Sequence, residues 1–184
     1  MSGTLNISFL TKIFDKKKLT HGNWLVLLHA RRIPPHVGLI IDGSYSSLTV
    51  KGPELNVTLE TLLKTIGLKK IETIFIKVMD HPVFSSDYQN ELFHEMIKKY
   101  KMVKQHEATC LSPLKEFFQE FYALNFLEEE LLFDFLERLR QNTYLELAMS
   151  FNFELTPAMI QIPRYDAREL HERIKSERLS FHTD

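Results

Sequence analysis

The chain predicts an α+β fold in which a small antiparallel sheet is flanked by helices and followed by a helical C-terminal extension. Three observations carry this. Residues 24–29, 36–41 and 45–50 form short strand-like runs, separated by Arg31-Arg32-Ile33-Pro34-Pro35 and by Asp42-Gly43. Several later segments carry apolar residues at helical spacing. A β-branched, aromatic stretch at 71–79 lies between two of those segments.

In chain order, residues 1–21 are a mixed lead-in, and 7–14 fits a short helix or a short strand on the domain edge. The strand unit follows. Asp42-Gly43 is a strong two-residue hairpin signal, because a type I′ turn needs positive φ at both central positions. His36 stands at the mouth of the second strand, after two prolines that keep the chain extended. Gly52-Pro53 is expected to end the third strand. Thr58 fits an N-cap, Leu59, Leu62, Leu63 and Ile66 form a stripe, and Gly67 suits the position after a helix end.

Ile74, Ile76 and Val78 alternate in the fourth strand, which stops at Asp80-His81-Pro82. A helix is expected from about Ser86 to Tyr100, with Gln89 three residues on as a capping box. Leu114, Phe117, Phe118 and Phe121 mark another over 111–122, and Pro113 confines its start to the residues next to Cys110. Residues 126–141 read as an amphipathic helix, acidic early and basic late. Residues 144–153 fit a strand or an extension of that helix, with helix preferred to Met149. Residues 156–163 read as extended, and 166–178 as a polar helix capped by Asp166.

The 184 residues fit one domain, 1–184, without repeats or low-complexity linkers. A net charge of −1 gives no polyanion footprint, so no nucleic-acid partner is expected, and Lys16–Lys18 reads as a solvated run. A single cysteine excludes an intrachain disulfide and any multi-cysteine metal site. No leader pattern and no apolar run of membrane-spanning length is visible, so a cytoplasmic location is expected, where a lone thiol survives. His21, His29, His36, His81, His94 and His106 lack metal-ligand spacing, and no dispersed glycine builds a phosphate loop, so no metal and no cofactor is expected. His106-Glu107 beside Cys110 reads as a solvated loop, with poising of the thiol as the alternative.

Gly22-Asn23-Trp24, His36-Val37-Gly38, Asp42-Gly43 and Thr109-Cys110, with Phe117-Phe118 after it, fall in an order that resembles the circularly permuted papain-like superfamily. These are NlpC-type cysteine hydrolases, including the lecithin–retinol acyltransferase-like branch, in which the histidine precedes the nucleophile. The resemblance covers residues 20–122 as a papain-like core and leaves 123–184 as a mostly helical elaboration. It implies Cys110 as nucleophile and His36 as base. Two positions depart from the pattern: Ser46-Ser47-Leu48-Thr49 stands where that branch carries a second histidine, and Thr109 precedes the cysteine.

The residues make such chemistry coherent. A thiol attacks as thiolate, and a helix N-terminus with a neighbouring imidazole lowers its pKa. A third group should orient the imidazole, and Ser47 or Thr49 is placed for that, with His81 as a weaker candidate. Arg31 and Arg32 are candidates for a carboxylate or phosphate of a substrate. The bland readings stand beside these: a buried structural thiol, a strand-edge histidine and two solvated arginines. The expected function is a cysteine-dependent hydrolase or acyl transferase on an amide or ester of a small-molecule, lipid or peptide substrate. The alternative is an inactive papain-like binding module or a protein-interaction domain. The many aromatics between Phe117 and Phe135 are expected to be core, with some lining an acyl-sized groove or a homodimer or protein contact through the C-terminal helices.

Overall fold

The computed structural model describes residues 4–8, 10–127, 131–153 and 159–180. The strands are β1 (Thr4–Ser8), β2 (Leu10–Lys12), β3 (Asn23–Leu28), β4 (His36–Ile41), β5 (Ser44–Thr49), β6 (Gly52–Thr58), β7 (Thr73–Val78), β8 (Leu145–Phe151) and β9 (Met159–Pro163). The α-helices are α1 (Leu59–Leu68), α2 (Ser86–Lys98), α3 (Ser112–Tyr122), α4 (Leu132–Gln141) and α5 (Ala167–Ser180), with a 3-10 turn at Lys16–Thr20. The fold is α+β, and its main sheet is larger than the sequence suggests. Seven strands run in the order β2-β8-β7-β3-β4-β5-β6, antiparallel except where β2 joins β8 in parallel. β1 and β9 form a separate antiparallel pair.

β3 and β7 are buried on both faces, which explains their nearly unbroken apolar runs. Alternation sends Leu25, Leu27, Ile74 and Ile76 into one cluster with α2, α3 and α4. Trp24, Val26 and Phe75 go to the other face, with Tyr45 and with Leu62 and Ile66 of α1. Between β4 and β5, Asp42 (φ 45°) and Gly43 (φ 78°) supply the two positive φ values of the hairpin turn. Gly38 permits a close approach: the Tyr45 ring lies across it, with Cε2 2.5 Å from where a Cβ would stand.

Helix starts follow the local chemistry. Thr58 caps α1, accepting from the Thr61 amide at 3.3 Å. Ser85 caps α2, accepting from the Tyr88 amide. Asp166 and Glu169 close a reciprocal box ahead of α5, at 2.8 and 3.1 Å.

Five expectations change. Gly52-Pro53 opens β6 instead of ending a strand, which an edge position tolerates because no ladder donor is missed there. Gly67 lies inside α1, which ends one residue later, and Lys70 takes the left-handed conformation (φ 50°). Gln89 closes no capping box. Its side chain donates to the Phe84 carbonyl and accepts from Asn23 Nδ2 at 2.8 Å, in a buried cluster with Tyr122. Residues 123–127 are not helical, and α4 starts at Leu132. Residues 145–151 are strand, not helix, because Thr143 (φ 60°) breaks α4 and β8 enters the sheet between β2 and β7. The segment after residue 122 therefore contributes strands as well as helices. Of the stretch at 156–163, residues 154–158 lie outside the described residues. No helix of the described residues is long and apolar enough to cross a membrane.

Candidate functional site

A cavity of about 1040 Å³ opens at one end of the sheet, between the start of β4, the segment leading into α3, and α5. Val37, Leu111, Phe126, Leu132, Leu170 and Ile174 supply much of its wall. Volume and lining match those of small-molecule sites. Cys110, His36 and Thr49 all line it. So does Arg32, whereas Arg31 is committed elsewhere: it pairs with Glu72 at 3.1 Å and lies 5.0 Å from the Phe153 ring centroid.

Cys110 immediately precedes the Leu111 cap of α3, so the amides that start the helix lie near its sulfur. The amides of Val37 and Leu111 favour the thiolate, but burial outweighs them, and the charge of Glu177 adds to it. The thiol is pushed from its ordinary 9.0 up to about 11. His36 is likewise held neutral: burial, helped by charge repulsion from His29, lowers its imidazole from 6.5 to about 4. Its Nε2 is 3.1 Å from Ser47 Oγ, the only hydrogen bond of the ring among the described residues.

The two residues share a cavity without sharing a hydrogen bond, and strand geometry gives the reason. Alternation along β4 places His36 on the face of Ile40 and Tyr45, whereas Cys110 packs against the cluster on the opposite face. The thiol meets the β4 backbone at Val37 rather than the imidazole beside it.

Of the two hydroxyls read as orienting groups, Ser47 meets His36. Thr49 instead stabilises the β5–β6 turn, donating to the Gly52 carbonyl at 2.9 Å and accepting from the Lys51 amide at 3.1 Å. His81 accepts from the Val83 and Phe84 amides at 3.1 Å and stacks with Phe84, remote from this cavity's lining.

Two lining residues, Glu54 and His171, escaped the sequence reading, whereas His106, read beside Cys110, does line the cavity. Glu54 lies 3.5 Å from Ser47 Oγ. His106 and His171 stack with ring centroids 4.0 Å apart, joining the loop before α3 to α5. No spacing rule links residues 65 positions apart in different elements. Among the described residues, no three His, Cys, Asp or Glu side chains are grouped to hold a metal ion.

No known protein family, curated protein or solved structure matches this chain.

Proposed function

We propose that the cavity is the working part of the molecule and that it binds a largely apolar small molecule. The observation that supports this reading is the cavity itself: about 1040 Å³ of space at the end of the sheet, walled by aliphatic and aromatic side chains and rimmed by polar ones. Its two chemistry-bearing residues rest neutral, as suits an apolar occupant. Titration of the full chain with N-phenyl-1-naphthylamine, an apolar fluorophore with one N–H, tests this. Saturable fluorescence enhancement is expected, together with at least tenfold weaker binding in Ile174→Trp, whose larger ring projects into the space from the α5 wall. Absence of saturable binding, or equal affinity in the filled variant, overturns the reading.

A second reading, a cysteine-dependent hydrolase or acyl transferase, is favoured by one observation: Cys110 and His36 line the same cavity. The Cys110 sulfur would attack the carbonyl carbon of an ester or amide as His36 takes the thiol proton. The tetrahedral oxyanion would face the amides at the start of α3. Collapse would give a thioester on Cys110 and release the alcohol or amine with that proton, and water or an acceptor would then take the acyl group. Because both groups are neutral at rest, the proton would have to transfer during the attack. Intact-mass measurement after exposure to 4-nitrophenyl octanoate decides it. An acyl adduct in the wild type, absent from Cys110→Ser and at least tenfold slower in His36→Ala, supports the enzyme. No adduct leaves the binding reading alone.

A further inference from the structure

The pairing of β5 with β6 is interrupted next to the cavity. Tyr45 stands opposite Val57 and Ser47 opposite Glu54, so one residue of β5 spans two of β6. The extra residue is absorbed at Asn56, whose φ is 55° and whose amide donates to Ser46 Oγ at 3.1 Å. A bulge of this kind changes which face a side chain reaches. Leu55 packs with the cluster on the α2 side. Glu54 is brought beside Ser47, on the face that alternation gives to Ser47 and His36.

Ser47 Oγ is buried between two partners, His36 Nε2 at 3.1 Å and Glu54 Oε2 at 3.5 Å. A carboxylate only accepts, and a serine hydroxyl has a single proton. That proton points to Glu54, so the oxygen presents a lone pair to the imidazole and Nε2 must carry the hydrogen. The Tyr45 hydroxyl, buried beside Ser47, makes no hydrogen bond of full geometry among the described residues, and were it to accept from Ser47 the serine would still turn a lone pair to the imidazole. The remaining imidazole nitrogen, Nδ1, has no hydrogen bond among the described residues, and His36 lines the cavity.

We infer that Glu54, acting through Ser47, is a positioning residue that fixes His36 as the Nε2–H tautomer. Resting on the reading of the cavity as a binding site, this makes its ligand an apolar molecule whose polar group donates a hydrogen bond, an alcohol or an N–H compound rather than an ether or ketone. A neutral imidazole with a bare Nδ1 accepts but cannot donate there. The sequence reading of Ser47 as an orienting hydroxyl gains its direction from a carboxylate that only the bulge brings into reach.

Two measurements on the full chain test it. Long-range ¹H–¹⁵N spectra of histidine-labelled protein at pH 7 read the tautomer, with His36→Gln assigning its signals. The wild type should show His36 protonated at Nε2. In Glu54→Lys the donor-only ammonium should reverse the serine, leaving Nδ1 protonated. Glu54 is exposed on an edge strand, so this variant tests the relay with little risk to folding. A wild-type Nδ1–H tautomer, or an unchanged one in Glu54→Lys, overturns the relay. Competition between 1-decanol and methyl nonyl ether then reads the ligand class. The alcohol should bind at least fivefold more tightly in the wild type, and that preference should vanish in Glu54→Lys. An ether bound as well as the alcohol overturns the ligand class. Failure of both probes to bind overturns the cavity reading and the ligand class with it, while the spectra still decide the relay.

Discussion

The reactivity of Cys110 follows quantitatively from its surroundings. A thiol held at about 11 instead of its ordinary 9.0 has roughly 100-fold less thiolate at neutral pH, because each pKa unit is a factor of ten. Thiolates of higher pKa are also better nucleophiles, with a Brønsted slope of about 0.4–0.5. Over this shift that returns about tenfold, again as an order of magnitude. The net expectation is alkylation by iodoacetamide about tenfold slower than for an unperturbed cysteine, before any shielding by α5, which would slow it further. The logarithm of the rate should rise with unit slope from pH 6 to 9, without a plateau. His36→Ala should leave this profile within about threefold, since a neutral imidazole contributes no charge to stabilise the thiolate. The assay is single-site alkylation followed by intact mass; Cys110 is the only thiol, so no other residue confounds it. A plateau extending below pH 7 and lost in His36→Ala would refute the reasoning, because it would require a thiolate–imidazolium pair that the opposed faces of β4 do not provide.

Three further outcomes follow from particular contacts. His36, lowered to about 4 in the fold against 6.5 unfolded, binds its proton less readily when folded, so its contribution to stability is complete above pH 6.5 and is lost as pH falls toward 4. That loss is on the order of 3 kcal/mol; urea unfolding at pH 7 and pH 4.5 should show it, and His36→Gln should have a shallower acid dependence. Burial lowers His29, His94 and His171 in the same direction, so acid sensitivity should persist in part in that variant. Gly38→Ala should cost about 1–3 kcal/mol, because the added methyl meets a fully buried ring. Thermal melts should show the loss, and Tyr45→Leu in the same chain should recover part of it; a neutral Gly38→Ala would mean that the ring moves freely. Phe117→Ala should cost about 3–5 kcal/mol by chemical denaturation, since Phe117 is fully buried among Phe93, Phe118 and Phe121; a loss under about 1 kcal/mol would mean that the cluster collapses without cost.

The fold was legible where local chemistry decides structure. The Asp42-Gly43 turn, the Thr58 cap and the position of Pro113 in the first turn of α3 each follow from a backbone requirement that few residues meet. It was hidden where tertiary pairing overrides local preference. Leu145–Phe151 follows a helix and is rich in residues that suit one, yet it becomes a strand because β7 and β2 leave a place between them. Gly52-Pro53 reads as a stop in isolation and is tolerated because β6 is an edge.

The site divides along the same line. His36 and Cys110 were visible as reactive residue types at the ends of elements and Ser47 as a hydroxyl on the next strand, and the structure sets His36 and Cys110 in one cavity with Ser47 behind the imidazole. Their relations were not visible, because a strand shows its side chains to two faces and one residue of offset decides which groups meet. Cys110 reaches the backbone of Val37 instead of the His36 ring, and Glu54 reaches Ser47 only because Asn56 absorbs an extra residue. The same offset works in opposite senses at the two places: it separates a thiol from a base, and it joins a carboxylate to that base through a hydroxyl. What the cavity then offers an occupant is a histidine oriented from behind and neutral, with a protonated thiol on the other side of the same strand. That arrangement favours recognition of a hydrogen-bond donor at rest, and acyl chemistry proceeds there only if a bound substrate draws the thiol and the imidazole around the end of β4 into contact.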